Sequence, residues 1–223
     1  MVAVSKHMER DLERLRRSVV QMAAAVEEAI YQATAALQGR NAALARAVVE
    51  GDAEVDRLEN EVQDECLKIL ALHQPVAVDL RRVSAILLIS TDLERMGDLA
   101  VGIAERAMSL PRANVPPLPD RFAEMTVRVT SMVRRALDAY VNRDTAAARG
   151  VIRTDDEVDQ DNDAIIAGLI ADMKTHPEWI ETGLSLFSAV RHLERIADHA
   201  TNIAEDVIYL VEGAVVRHHP EAV

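Results

Sequence analysis

Residues 33–56 read ATAALQGRNAALARAVVEGDAEVD, and residues 136–159 read ALDAYVNRDTAAARGVIRTDDEVD. Aligned at an offset of 103, the two stretches are identical at eleven of 24 positions, and charged residues such as Arg40 and Arg143 match in register. Unrelated amphipathic helices would share mainly their apolar positions. The chain is therefore predicted to contain a tandem repeat.

A second pair of segments extends the repeat. Residues 93–110 (LERMGDLAVGIAERAMSL) match residues 193–210 (LERIADHATNIAEDVIYL) at nine of 18 positions, with an offset of 100. The offset changes by three residues in the turn between the second and third helices, where chain length can vary at little free-energy cost. Each repeat thus consists of three helices.

Apolar residues recur every three or four positions throughout both repeats, as in Leu12, Leu15 and Val19, and this period predicts helices. Pro75 and Pro177 each follow a histidine-containing turn and start a new helical run. The predicted helices span about 5–38, 41–72, 76–109, 119–142, 144–173 and 178–213. We predict an all-α fold of two tandem three-helix bundles: a first repeat at 1–110, a proline-rich linker at 111–120, a second repeat at 121–213 and a tail at 214–223.

Composition narrows the function classes. Apolar residues make up 49% of the chain and aromatic residues only 3%, which suits closely packed helices. The net charge of −12 argues against direct binding to nucleic acid. The chain shows neither a signal sequence nor about 20 consecutive apolar residues, so we expect a cytoplasmic protein that meets membranes only through partners.

Each repeat carries two acidic pairs spaced four residues apart, which places both members of a pair on one helix face. The pairs are Asp52 and Asp56, Glu94 and Asp98, Asp155 and Asp159, and Glu194 and Asp198. With 37 acidic residues in the chain, one such pair carries no information. The recurrence of both pairs at equivalent positions of both repeats indicates a function.

Short turns make the second and third helices of each repeat antiparallel neighbours, so their acidic faces could meet. Carboxylates about 4 Å apart would repel by about 4 kcal/mol at an effective dielectric constant of 20. Protons, water or a hard cation such as iron, manganese or magnesium would relieve this repulsion. A solvated acidic face remains the alternative.

Other candidates are weaker. His192 and His199 flank the last acidic pair but have no counterpart in the first repeat, where Asp92 and Leu99 stand, so surface or core-edge positions are expected for them. Two arginines, Arg81 and Arg82, could contact an anion or form ion pairs on the helix surface. We find no glycine-rich phosphate loop and no Ser/His/Asp arrangement, and the single cysteine lies in a helical pattern as a small apolar residue. The sequence therefore favours a regulator or adaptor over an enzyme.

The chain resembles the PhoU family of phosphate-transport accessory proteins over nearly its whole length. The resemblance rests on the doubled DxEVD segment, on LERMGDLAVGIAE and LERIADHATNIAE, and on LALHQPVAVDLRRV at residues 70–83. The duplicated E-x-x-x-D is the pattern by which this family binds metal. Gly102 departs from the asparagine that stands at the equivalent position, Asn202, in the second repeat.

The resemblance implies two similar three-helix bundles, often paired as a homodimer, with iron or other divalent metals on the E-x-x-x-D faces. It also implies negative regulation of the phosphate-starvation response, in which the protein couples the phosphate ABC transporter to a sensor histidine kinase without catalysis. Two alternatives stay open: a metal-binding helical protein with a storage or redox role, and a purely structural helical adaptor.

Overall fold

A computed structural model describes residues 6–111 and 116–216 of the chain. Six long α-helices account for nearly all of them: α1 (Lys6–Gly39), α2 (Ala42–His73), α3 (Val78–Ser109), α4 (Asp120–Asn142), α5 (Thr145–Thr175) and α6 (Ile180–Glu212). The described part of the chain contains no β-strand. The all-α prediction is confirmed.

The predicted helix limits agree with these bounds to within two residues. The largest differences lie in the turn between the second and third helices of each repeat. Helix α3 begins at Val78 rather than near residue 76, because Val76 and Ala77 belong to the turn. A single 3₁₀ turn, Pro177–Trp179, precedes α6. Proline suits this first turn because the missing N–H would have had no helical partner.

Equivalent side chains start the second helix of each repeat. The Asn41 side chain accepts a hydrogen bond from the backbone N–H of Leu44, and the Asp144 side chain accepts from those of Ala146 and Ala147. Such caps satisfy N–H groups that have no partner inside the helix. The two caps lie 103 residues apart, as the repeat requires.

Within each repeat the three helices pack against one another: α1 contacts α2 and α3, and α4 contacts α5 and α6. The core is built from Ala, Val, Leu, Ile and Met, with Phe122 as its one fully buried large aromatic side chain among the described residues. The low aromatic content therefore suits the close helix packing.

The two repeats meet mainly through α3 and α6. Asp92 on α3 contacts His199 and Asn202 on α6, whereas Gly102 contacts His192. Higher numbers on α3 therefore face lower numbers on α6, so the two helices run antiparallel. Because α6 is the copy of α3, this arrangement relates the repeats by an approximate two-fold axis.

The turn between α2 and α3 has an unusual backbone. Ala77 has φ 50° and ψ −114°, a conformation that residues with a Cβ rarely adopt. The neighbouring Gln74 is left-handed and ends α2, with its N–H bonded to the carbonyl of Leu70. This turn thus stores backbone strain at an exposed position.

Parts of the predicted linker and tail, residues 112–115 and 217–223, lie outside the described residues, and the domain limits stay a prediction. In the described ranges no helix is both long and apolar enough to cross a membrane.

Candidate functional site

The first acidic cluster lies where α2 faces α3. A Cβ atom placed on Gly97 would lie 3.2 Å from Cγ1 of Val55 and 3.8 Å from Oδ1 of Asp52. The absence of a side chain at Gly97 therefore lets α2 approach α3 closely beside the acidic residues. The second repeat has Ala197 at the equivalent position.

Carboxyls on α2 and α3 of the first repeat are electrostatically coupled. Burial raises the pKa of Asp52, and the nearby Asp56 and Asp98 carboxylates raise it further. Burial also raises the pKa of Glu94, with a smaller contribution from Asp98 that the Arg95 guanidinium opposes. Asp98 on α3 thus raises the pKa of a carboxyl on α2, and carboxylates on α2 likewise add to the raised pKa of Glu94 on α3.

Glu59, which is not one of the paired acids, also belongs to this cluster. Burial raises its pKa, Asp56 and Asp98 add to the rise, and a hydrogen bond from Gln63 at 2.8 Å works against it. The position of Glu59 one helical turn after Asp56 was the available signal.

The second cluster, on α5 and α6, is more deeply buried. Burial raises the pKa of Asp155 to about 6, with further contributions from Asp198 and then Asp159. The pKa values of Glu194 and Asp198 are also raised, in both cases mainly by burial. These three carboxyls hold protons more tightly than they would in water, because each charge is partly desolvated and faces others of its own sign.

Arginines offset part of this negative charge. Arg191 Nη1 donates to Glu194 Oε1 at 3.0 Å, and Arg95 lies 3.6 Å from Glu94 and 3.8 Å from Asp98. The other Glu194 oxygen, Oε2, is buried and has no hydrogen-bond partner among the residues that the structure describes. An unpartnered buried carboxylate oxygen is a site that a cation or a proton would satisfy.

Only oxygen ligands occur in the clusters, which fits hard cations rather than zinc. Across the described ranges, however, no three Asp, Glu, His or Cys side chains converge tightly enough to hold a metal ion. The donor type fits the predicted metals, and closing around an ion would require these side chains to change rotamer.

The histidines flanking the last acidic pair serve the α3–α6 interface. His199 Nδ1 lies 2.7 Å from Asp92 Oδ1, and Asn202 Nδ2 donates to the same oxygen at 3.2 Å. At the equivalent place across the two-fold axis, His192 fills the space beside Gly102, where a Cβ would lie 2.9 Å from His192 Nε2. Gly102 and Asn202 therefore differ because they meet different partners.

The cysteine is part of the core, as its sequence pattern indicates. Cys66 has no solvent exposure, and burial raises the pKa of its thiol to about 12. The thiolate that nucleophilic chemistry requires is therefore nearly absent at neutral pH.

Comparison with known proteins identifies the family to which this six-helix chain belongs. The family model of the PhoU domain matches the chain twice, at residues 19–107 and 122–207, once in each repeat.

The chain belongs to the PhoU family.

Relatives match this PhoU-family chain over nearly its full length. A PhoU homologue from Burkholderia sp is 37% identical over 218 residues, covering 96% of this chain and 93% of its own. One from Aquifex aeolicus is 41% identical over 211 residues, covering 94% and 95%. Both carry the name phosphate-specific transport system accessory protein PhoU homolog.

Two crystal structures share the fold. PhoU from Pseudomonas aeruginosa superposes with a TM-score of 0.90 at 37% identity, covering 92% of this chain and 99% of that one. The phosphate transport system regulatory protein PhoU from Streptococcus pneumoniae gives 0.88 at 29% identity, covering 94% and 99%. The six-helix arrangement is thus the fold of solved family members.

Proposed function

We propose that this PhoU-family chain is a cytoplasmic negative regulator of the phosphate-starvation response. In this proposal it acts as an adaptor between the ATPase of a phosphate ABC transporter and a sensor histidine kinase, and it meets the membrane only through them. The observation that carries the proposal is the match of both repeats to the PhoU domain. Relatives named as transport accessory proteins, matched over nearly their whole length, support it.

The regulatory role is tested by deleting the gene and following a phosphate-starvation promoter in phosphate-rich medium. We expect the promoter to stay active in the deletion strain and to be repressed again by the intact gene on a plasmid. The tagged chain should capture the transporter ATPase and the kinase from cells grown in high phosphate. Normal repression in a strain lacking every copy of the gene would contradict the proposal.

We further propose that the acidic clusters bind iron, manganese or magnesium. Four carboxylates in each repeat would hold the ions: Asp52, Asp56, Glu94 and Asp98 in the first, and Asp155, Asp159, Glu194 and Asp198 in the second. The raised pKa of Asp155 and the unpartnered Glu194 Oε2 support this, because a bound cation would relieve both the repulsion and the desolvation.

Metal binding is tested by loading the purified chain with each metal, dialysing it and measuring the metal content. Glu194→Ala combined with Asp198→Ala should lower the stoichiometry, whereas the exposed Glu50→Ala on α2 should not. Equal metal content in the wild type and in a variant lacking all eight carboxylates would overturn this proposal. Redox turnover of bound iron, with normal repression in the deletion strain, would instead favour the alternative of a storage or redox role.

We also propose that the chain forms a homodimer. Sedimentation of the purified chain at several concentrations measures its mass and tests this. A monomer at all of them would exclude it.

A further inference from the structure

A cavity of about 200 Å³ lies where both repeats meet, between α1, α3, the end of α4 and α6. We call it the interrepeat pocket. Three of the residues that line it are arginines from three different segments: Arg16 on α1, Arg82 on α3 and Arg143 just after α4. In a chain of net charge −12, three guanidinium groups around one small cavity concentrate positive charge where the rest of the molecule is acidic.

Contacts with neighbouring groups hold two of these arginines in place. Arg16 Nη1 donates to the carbonyl oxygen of Val141 at 3.1 Å, which ties α1 of the first repeat to α4 of the second. Arg82 Nη1 donates to Asp79 on its own helix at 3.1 Å. Each guanidinium carries five N–H donors in a planar fork, so donors remain for a ligand.

Arg143 differs from the other two. It is exposed, it has a left-handed backbone with φ 54° at the end of α4, and it forms no ion pair with any carboxylate in the described ranges. Its guanidinium is therefore free to close on a ligand in the pocket.

A buried phenol adds another donor. Tyr140 also lines the pocket, is only 5% exposed, and makes no hydrogen bond to any residue that the structure describes. Burial raises the pKa of the phenol, while the Arg16 and Arg143 charges lower it in part, which shows that both guanidinium groups act on the tyrosine. The hydroxyl stays protonated at neutral pH and can donate to an anion.

Two glutamates line the pocket as well, so its charge requires a count. Glu13 lies 3.4 Å from Arg16 Nε and forms an ion pair with it, and Glu9 is exposed and can keep its carboxylate in water. Arg82 is likewise paired with the Asp79 carboxylate, so three arginines face three carboxylates and the count is neutral. Among the described residues, however, Arg143 has no carboxylate partner, so an anion in the pocket would meet one unpaired guanidinium and the remaining N–H donors of Arg16 and Arg82.

The donors point to the type of anion. Guanidinium groups on three segments and one phenol can surround a group with three or four oxygens, whereas a carboxylate offers only two. Leucine and isoleucine side chains form the remaining wall, as befits a site for a small organic ligand. We propose that the interrepeat pocket binds a phosphate group, either as inorganic phosphate or as the phosphate of a small monoester.

Comparison of the repeats shows that duplication alone does not explain the pocket. At the repeat offsets, Leu37 stands for Tyr140, Pro119 for Arg16 and Thr182 for Arg82. Only Arg143 has an arginine counterpart, Arg40, whose Nη2 donates to the carbonyl of Pro116 at 3.5 Å. Two of the three arginines and the tyrosine therefore have no equivalent in the other repeat.

Calorimetric titration of the metal-free full chain, in a chelator and at fixed ionic strength, tests the proposal. The ligands are inorganic phosphate and glycerol 3-phosphate, with sodium chloride as the blank. We expect saturable binding that Arg143→Gln weakens at least tenfold and Tyr140→Phe several-fold. Arg46→Gln removes the same charge from an exposed position on α2 and should change the affinity less than twofold.

The two ligands separate the two sources of the phosphate group. Tighter binding of glycerol 3-phosphate would assign the pocket to monoesters, and equal or tighter binding of inorganic phosphate would assign it to the free ion. Failure of both ligands to bind at about 10 mM would overturn the proposal. So would equal losses in Arg143→Gln and Arg46→Gln, because the attraction would then be a property of the whole surface. Neither result depends on the transporter or the kinase.

Discussion

The contact between the repeats at Gly102 leaves too little space for even one additional carbon atom. An alanine there would bring its Cβ to 2.9 Å from His192 Nε2, inside normal contact distance. We expect Gly102→Ala to lower the free energy of unfolding in urea by about 1–3 kcal/mol, as overpacking does. The loss should shrink when His192→Ala is added.

A glycine in open space provides the control for that substitution. Nothing lies within 4 Å of a Cβ added to Gly168, inside α5, so Gly168→Ala should raise stability by about 0.5–1 kcal/mol through helix propensity. Equal effects of the two alanines would show that His192 does not occupy the space beside Gly102.

In the strained turn between α2 and α3, replacing alanine by glycine should be favourable. Ala77→Gly should stabilise the chain, because the relief of about 1–3 kcal/mol of strain exceeds the 0.5–1 kcal/mol entropic cost of glycine. The matched change Ala71→Gly, in the last turns of α2, should destabilise it by about 1 kcal/mol. Urea unfolding of both variants checks this, and a loss of stability in Ala77→Gly would mean that the turn is not strained.

Burial determines the reactivity of the cysteine. Because Cys66 is fully buried and its pKa is about 12, a thiol reagent such as DTNB should label it only as fast as the chain unfolds. Labelling should be complete within seconds in concentrated urea. Equally rapid labelling of the native chain would contradict the burial of this side chain.

At the scale of helices, the N-caps of α2 and α5 should make similar contributions to stability. Asp144→Ala removes two hydrogen bonds and Asn41→Ala removes one, so each should lower stability by about 1 kcal/mol, with the larger loss at Asp144. The exposed Glu50→Ala, inside α2, serves as the control and should stay within about 0.5 kcal/mol. Chemical denaturation measures all three.

The acidic face between α5 and α6 gives the metal-free chain a defined pH dependence. Folding raises the pKa of Asp155 from 3.8 to about 6, so the folded state binds more protons than the unfolded state between these values. The contribution of Asp155 to stability therefore falls as the pH rises from about 4 to 6.

Asparagine at this position cannot ionise, so Asp155→Asn should gain stability relative to the wild type over the same pH range. After allowance for solvent screening the gain should reach about 1 kcal/mol at pH 7. Unfolding curves from pH 4 to 7 measure it. A difference between the two proteins that does not change with pH would contradict the raised pKa.

Considered as a whole, the molecule should unfold as one unit. The α3–α6 interface joins the repeats along both helices and includes the buried Asp92. We therefore expect a single calorimetric transition whose calorimetric and van't Hoff enthalpies agree. Two separate transitions would show that each repeat is stable without the other.

The repeat, the six helices and the facing acidic pairs could be predicted from sequence, because each depends on local periodicity or on similarity between the two copies. The partner of Asp92 could not, since no local pattern states which face of α3 meets α6. The buried Asp161 was missed for a related reason. Arg121 and Arg128 bond to it, whereas the first repeat has the apolar Leu58 at that position. In both cases the signal was a polar difference between otherwise similar repeats.

The two-fold relation between α3 and α6 also bears on how such a chain can evolve. In a dimer of identical single repeats, the contacts at both ends of this interface would involve the same two residues, and any change would appear twice. Fusion of the two copies into one gene removes that constraint. Here one end has the Asp92–Asn202 hydrogen bond and the other has His192 packed on Gly102. Covalent joining has given the molecule two distinguishable ends, so that a change useful at one end need not be tolerated at the other.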